Sequence, residues 1–116
     1  MAFNSVEHIR LQLLKILSNW PKTVSTQESD YAVLSINKST SYPVFCVISK
    51  SKIFLPNIPS LECETIFLDY NPVDTNIMFS PHSNWFEIDL NNLDFTSIIP
   101  KVELIYRYTA NKSIEI

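Results

Sequence analysis

The chain has 116 residues, 46% of them apolar and 18% charged, and a net charge of −3. That describes one globular domain, large enough to bury a core without a disulfide or a metal and too apolar to be disordered. Glycine is absent, which excludes the Gly-rich phosphate loops, the G-x-S-x-G nucleophile elbow and the Gly-containing calcium loop.

Residues 4–20 predict an amphipathic helix, because Val6, Ile9, Leu13, Ile16, Leu17 and Trp20 fall on one face at helical spacing. Asn4 is placed to cap it with Glu7 in the capping-box position, and Pro21 to stop it. Leu11 and Leu14 widen the apolar face, as expected of a helix packed on a sheet. Residues 21–30 read as a polar loop. From there the pattern is β: a short strand over 31–36, then 43–49, apolar on both faces like a central buried strand. Residues 52–55 extend that strand or begin another. Residues 64–70 predict a second buried strand, and 76–80 a short edge strand. Over 85–90 the residues alternate, with Phe86, Ile88 and Leu90 on one side and Trp85, Glu87 and Asp89 on the other. Residues 91–99 leave room for a helical turn before Pro100. Residues 101–109 predict a last strand with Val102, Leu104, Tyr106 and Tyr108 on one face, followed by a tail over 110–116. Connections between successive strands are too short for helical crossovers, so the sheet is expected to be antiparallel. The expected fold is α+β: one N-terminal amphipathic helix packed on a mostly antiparallel sheet of five or six strands, in a single domain. Its turns use Asn, Asp, Ser and Pro where glycine would be usual.

The first residues carry no basic segment ahead of an apolar run, and no run approaches the ~18 residues of a spanning helix. A cytoplasmic protein is therefore expected, with no membrane partner and with Cys46 and Cys63 as reduced thiols. Cys46 sits in an apolar strand as a small hydrophobe. Cys63 lies between Glu62 and Glu64, whose charge opposes thiolate formation.

Charge is unevenly placed. Residues 53–100 contain seven carboxylates (Glu62, Glu64, Asp69, Asp74, Glu87, Asp89 and Asp94) and no Lys or Arg. Convergence of these groups would make an acidic patch, repelling nucleic acid and speeding encounter with a basic protein surface. The bland alternative is a set of solvated loop and edge groups. Strand alternation sets Trp85 beside Glu87 and Asp89, where an exposed Trp among carboxylates would resemble an interface hot spot.

Chemistry-bearing clusters are sparse. His8 sits in the first turn of the helix, and His82 in a polar loop where a nearby Asp would make it a general base. The sequence holds no C-x-x-C and no H-x-x-x-H, so no metal site and no cofactor is expected. Glu87 and Asp89 share a strand face as metal-nuclease carboxylates do, but that region lacks the cations such an enzyme needs for its substrate. The leading expectation is a non-enzymatic binding protein of the inhibitor or immunity type, occluding a basic toxin- or nuclease-like partner through Asp69, Asp74, Trp85, Glu87 and Asp89. The alternatives are a small hydrolase using His82 with a carboxylate, and a homodimer joined through the last strand by Ile105, Tyr106 and Tyr108.

Overall fold

A computed structural model describes residues 6–27, 30–39, 43–58, 72–74, 84–91 and 93–112, with backbone alone at 72–74, 84 and 112. The elements run α1 (Val6–Ser18), β1 (Thr23–Gln27), β2 (Tyr31–Ile36), β3 (Val44–Ser49), β4 (Lys52–Pro56), β5 (Pro72–Asp74), β6 (Asn84–Asp89) and α2 (Phe95–Lys112). The strands form one six-stranded sheet in the order β1-β2-β3-β4-β6-β5, and every neighbouring pair is antiparallel. This is the expected α+β class, with a second helix that the sequence reading replaced by a strand. No helix among the described residues is long and apolar enough to cross a membrane.

Both helices pack on one face of the sheet. Leu13 and Leu17 of α1 and Ile98, Val102 and Ile105 of α2 join Leu34, Ile36, Cys46, Ile48, Ile53, Leu55, Phe86 and Ile88 in one buried cluster. Residues on neighbouring strands meet there in register, Leu34 opposite Cys46, Ile53 opposite Ile88 and Leu55 opposite Phe86. The other face carries a smaller buried cluster of Val33, Val44, Val47 and Trp85.

A bulge joins these two faces. Leu34 pairs with Cys46 and Ser35 with Val44, so Phe45 is an extra residue on β3. Val47 and Val44 accordingly face one cluster while Cys46 and Phe45 both face the helices. Phe45 there lies in a ring trio, 6.3 Å from Trp20 in a stacked arrangement and 5.2 Å from Tyr106 edge-on, with Trp20 and Tyr106 5.0 Å apart. Aromatic pairs in such geometry add about 0.5–1.5 kcal/mol each beyond area burial. The trio ties together the end of α1, the bulge and α2. The Tyr106 hydroxyl adds a hydrogen bond to the Pro21 carbonyl.

Turn chemistry works without glycine. After α1, the Thr23 N–H donates to the Trp20 carbonyl, with Pro21 second in the turn and Lys22 third, at φ +61°. That third position is where a type II turn favours glycine. Ser39 takes φ +72°, and its N–H donates to the Asn37 side-chain oxygen, as an Asx turn does. Between β3 and β4 the Ser49 hydroxyl accepts from the Ser51 and Lys52 N–H groups and donates to the Lys52 carbonyl.

Two expectations are corrected. Residues 23–27 belong to an edge strand, not to the polar loop expected over 21–30. Five residues rich in Thr and Ser pair fully with β2 although Ser25, Thr26 and Gln27 are exposed, so the strand offered no apolar alternation to read. Residues 101–109 belong to α2, not to a last strand. Pro100 sits in the second turn of that helix on its exposed side, so it sacrifices one early backbone bond and no buried one. Ile98, Val102 and Ile105 recur at helical spacing and are buried, whereas Leu104, inside on the strand reading, is 45% exposed. Packing of that face outweighs the proline. The expected strands over 64–70 and 76–80, and the Asn4 cap of α1, lie outside the described residues.

Candidate functional site

The alternation along β6 is observed as expected: Phe86, Ile88 and Leu90 are buried against the helices, while Glu87 and Asp89 are exposed. After Leu90 the chain turns, the Leu93 N–H donating to the Leu90 carbonyl, and enters α2 at Asp94. Asp94 is the N-cap of α2. Its Oδ1 accepts from the Thr96 N–H at 3.1 Å and the Thr96 hydroxyl at 2.7 Å, satisfying a first-turn donor that has no partner within the helix.

This route brings the end of β6 and the first two turns of α2 to the two sides of a cleft of about 330 Å³. Glu87, Asp89 and Asp94 line it together with Asn91, Ser97 and Lys101. Lys101 reaches the Ser97 hydroxyl at 3.4 Å. From the neighbouring strand, Lys52 stands directly opposite Asp89 and lies 3.4 Å from Glu87 and 4.0 Å from Asp89. Lys52 thus pairs with two of the three acidic residues and Lys101 with a serine, and counted together these five side chains carry a net negative charge. The Lys52 side chain is 37% exposed and that of Asp89 71%, so these ion pairs are screened and contribute little stability, about 0–1 kcal/mol each. They hold the carboxylates without removing them from solvent. Among the described residues no group of three or more His, Cys, Asp or Glu is placed to hold a metal ion.

The residues singled out from the sequence lie in different surroundings. Glu87 and Asp89 stand together on the exposed face of β6. Asp74 ends β5 opposite Asn84, and only its backbone is described. Asp69 and His82 lie outside the described residues, as does Cys63. Trp85 is not an exposed anchor: it is fully buried with Val33, Val44 and Val47. In register it lies between Pro56 of β4 and Val73 of β5, with strands on both sides, and Tyr31 and Phe54 also pack against its cluster. Ile105, Tyr106 and Tyr108 do not form a sheet edge, since they lie on α2. His8 is exposed on α1 and lines a second cleft, of about 520 Å³, with Gln12, Asp94 and Phe95. Cys46 is fully buried, and desolvation pushes its thiol pKa well above the ordinary thiol range.

Sequence reasoning missed Asp94, Lys52 and Lys101 as parts of the site. The signal for Asp94 was present as an Asp directly before an apolar 3.6-residue period, hidden by the strand reading of residues 101–109. Lys52 became visible only through the pairing of β4 with β6. No known protein family, curated protein or solved structure matches the chain.

Proposed function

We propose that this chain is a non-enzymatic protein-binding module that receives a basic surface of a partner protein at Glu87, Asp89 and Asp94. One observation carries the reading: these three acidic residues, two from a strand and one from a helix cap, line the same cleft. An arginine or lysine entering it exchanges the screened Lys52 contacts for its own at small cost, because exposed ion pairs are weak. The surplus negative charge steers a basic partner during encounter. An inhibitor of the immunity type, covering the basic active surface of a toxin or nuclease, is the form this reading takes. It is expected to act by occlusion, with no chemistry of its own.

The test is a double charge reversal, Glu87→Lys with Asp89→Lys, in the full chain. Both side chains are solvent-facing, so the fold is expected to persist. Association with a basic partner at low salt is expected to slow by roughly tenfold or more, the scale on which steering acts. An unchanged association rate at low salt removes this face as the interface.

A further inference from the structure

The first strand of the sheet carries an interaction surface of a different kind. Among the described residues β1 has β2 on one side only, and it ends the sheet. Which backbone groups face outward is set by the ladder. The Asn37 N–H donates to the Lys22 carbonyl at 2.8 Å, so residue 22 is a hydrogen-bonded position, and by antiparallel alternation so are Val24 and Thr26. Thr23, Ser25 and Gln27 therefore turn their N–H and C=O groups away from β2. The Thr23 N–H shows it, donating back to the Trp20 carbonyl at 3.2 Å.

Natural sheets protect such an edge with charge, proline, a bulge or extreme shortness. β1 is Thr-Val-Ser-Thr-Gln, five residues with no charge and no proline, and its register with β2 is unbroken. It is the edge strand of a sheet whose charged side chains sit elsewhere. Opposite charges do flank its two ends. Lys22 lies at one end with Lys38 near enough to act on it electrostatically, and the exposed Asp30 follows the other.

We infer that β1 pairs antiparallel with β1 of a second copy of this chain, about a two-fold axis at Ser25, joining the two sheets into one. In that register Ser25 exchanges both of its backbone hydrogen bonds with its own copy, and each Gln27 N–H meets the other copy's Thr23 carbonyl. The Thr23 N–H needs no new partner, since Trp20 already holds it. Val24 faces the second copy's Thr26, and two serines meet at the axis without a clash. The Lys22 end of each copy lies beside the Asp30 end of the other. A two-fold edge pairing is self-limiting, because each copy has a single β1.

The test is the mass of the full chain by light scattering over a range of concentration. The wild-type mass is expected to rise from 13.4 kDa towards twice that value. Ser25→Pro removes an outward N–H and no bond to β2, a position where an edge strand accepts proline, and its mass is expected to stay at the monomer value. Ser25→Lys and Ser25→Asp bring like charges together at the axis, so each alone is expected to be monomeric and their equimolar mixture dimeric. That rescue keeps the proposal testable should the proline variant fail to fold. A wild-type chain that is monomeric at the highest concentration reached overturns the proposal, and so does a Lys or Asp variant that dimerises as the wild type does.

Discussion

Replacing Ile105 and Leu104 one at a time tells a helical C-terminal segment from a strand. In α2, Ile105 is fully buried against the sheet while Leu104 is 45% exposed. On the strand reading the two exchange places. Ile105→Ala deletes three buried carbons, worth about 2.4 kcal/mol at about 0.8 kcal/mol each. The cavity left behind raises the cost to about 3–4 kcal/mol, within the range measured for such truncations. Leu104→Ala loses little burial, and alanine is the better helix former, so its effect is expected within about 0.5 kcal/mol of zero. Urea unfolding followed by far-UV circular dichroism reads both values, and an unchanged m-value certifies that stability alone has moved. Equal effects, or a larger loss at Leu104 than at Ile105, refute the placement of α2 and with it one side of the acidic cleft.

Single contacts carry further expectations. Asp94→Ala removes the cap of α2 and is expected to cost about 1 kcal/mol in the same assay, with Asp94→Asn keeping most of it. Cys46 is expected to resist a thiol reagent at mild alkaline pH in a Cys63→Ser background and to react fully once urea is added, since the buried thiol is held protonated. The folded state keeps the Cys46 proton where the unfolded chain loses it, so stability falls as pH rises past the ordinary thiol pKa. Cys46→Ala is expected to flatten that alkaline loss, and an unchanged slope contradicts the assigned cause. Tyr106→Phe removes the hydrogen bond to the Pro21 carbonyl and is expected to cost about 1 kcal/mol; an unaltered midpoint contradicts this tie between α2 and the turn after α1.

Much of the fold was legible where burial and period agree. Helix α1 shows a clear apolar face, β2 and β3 are dense in apolar residues, and β6 alternates from Phe86 onward, so each lies where the pattern places it. Two kinds of element were not legible. β1 is a strand because β2 lends it a ladder, and its own side chains carry almost no burial signal. α2 satisfies both periods over 102–108, with Val102, Leu104, Tyr106 and Tyr108 on one face of a strand and Val102 and Ile105 on one face of a helix. Pro100 tipped the reading towards the wrong one. What decides it is Ile105, three residues after Val102, which only a helix brings to the same buried side. The site was half legible for the same reason. Glu87 and Asp89 stood out from strand alternation alone. Asp94 depended on recognising a helix start, and Lys52 on knowing which strand lies beside β6. Trp85 had the right face, but its face is covered at that end of the strand.

The central claim, that the cleft between β6 and α2 takes a basic partner surface, is tested most directly by titrating a lysine-rich peptide into the isotope-labelled full chain and following backbone amide shifts at low and moderate salt. The shifts are expected to concentrate at Glu87, Asp89, Asp94 and Lys101, to shrink with salt and to vanish in the Glu87→Lys, Asp89→Lys double variant. Shifts that are absent there in the wild type, or that persist unchanged in the double variant, contradict the claim.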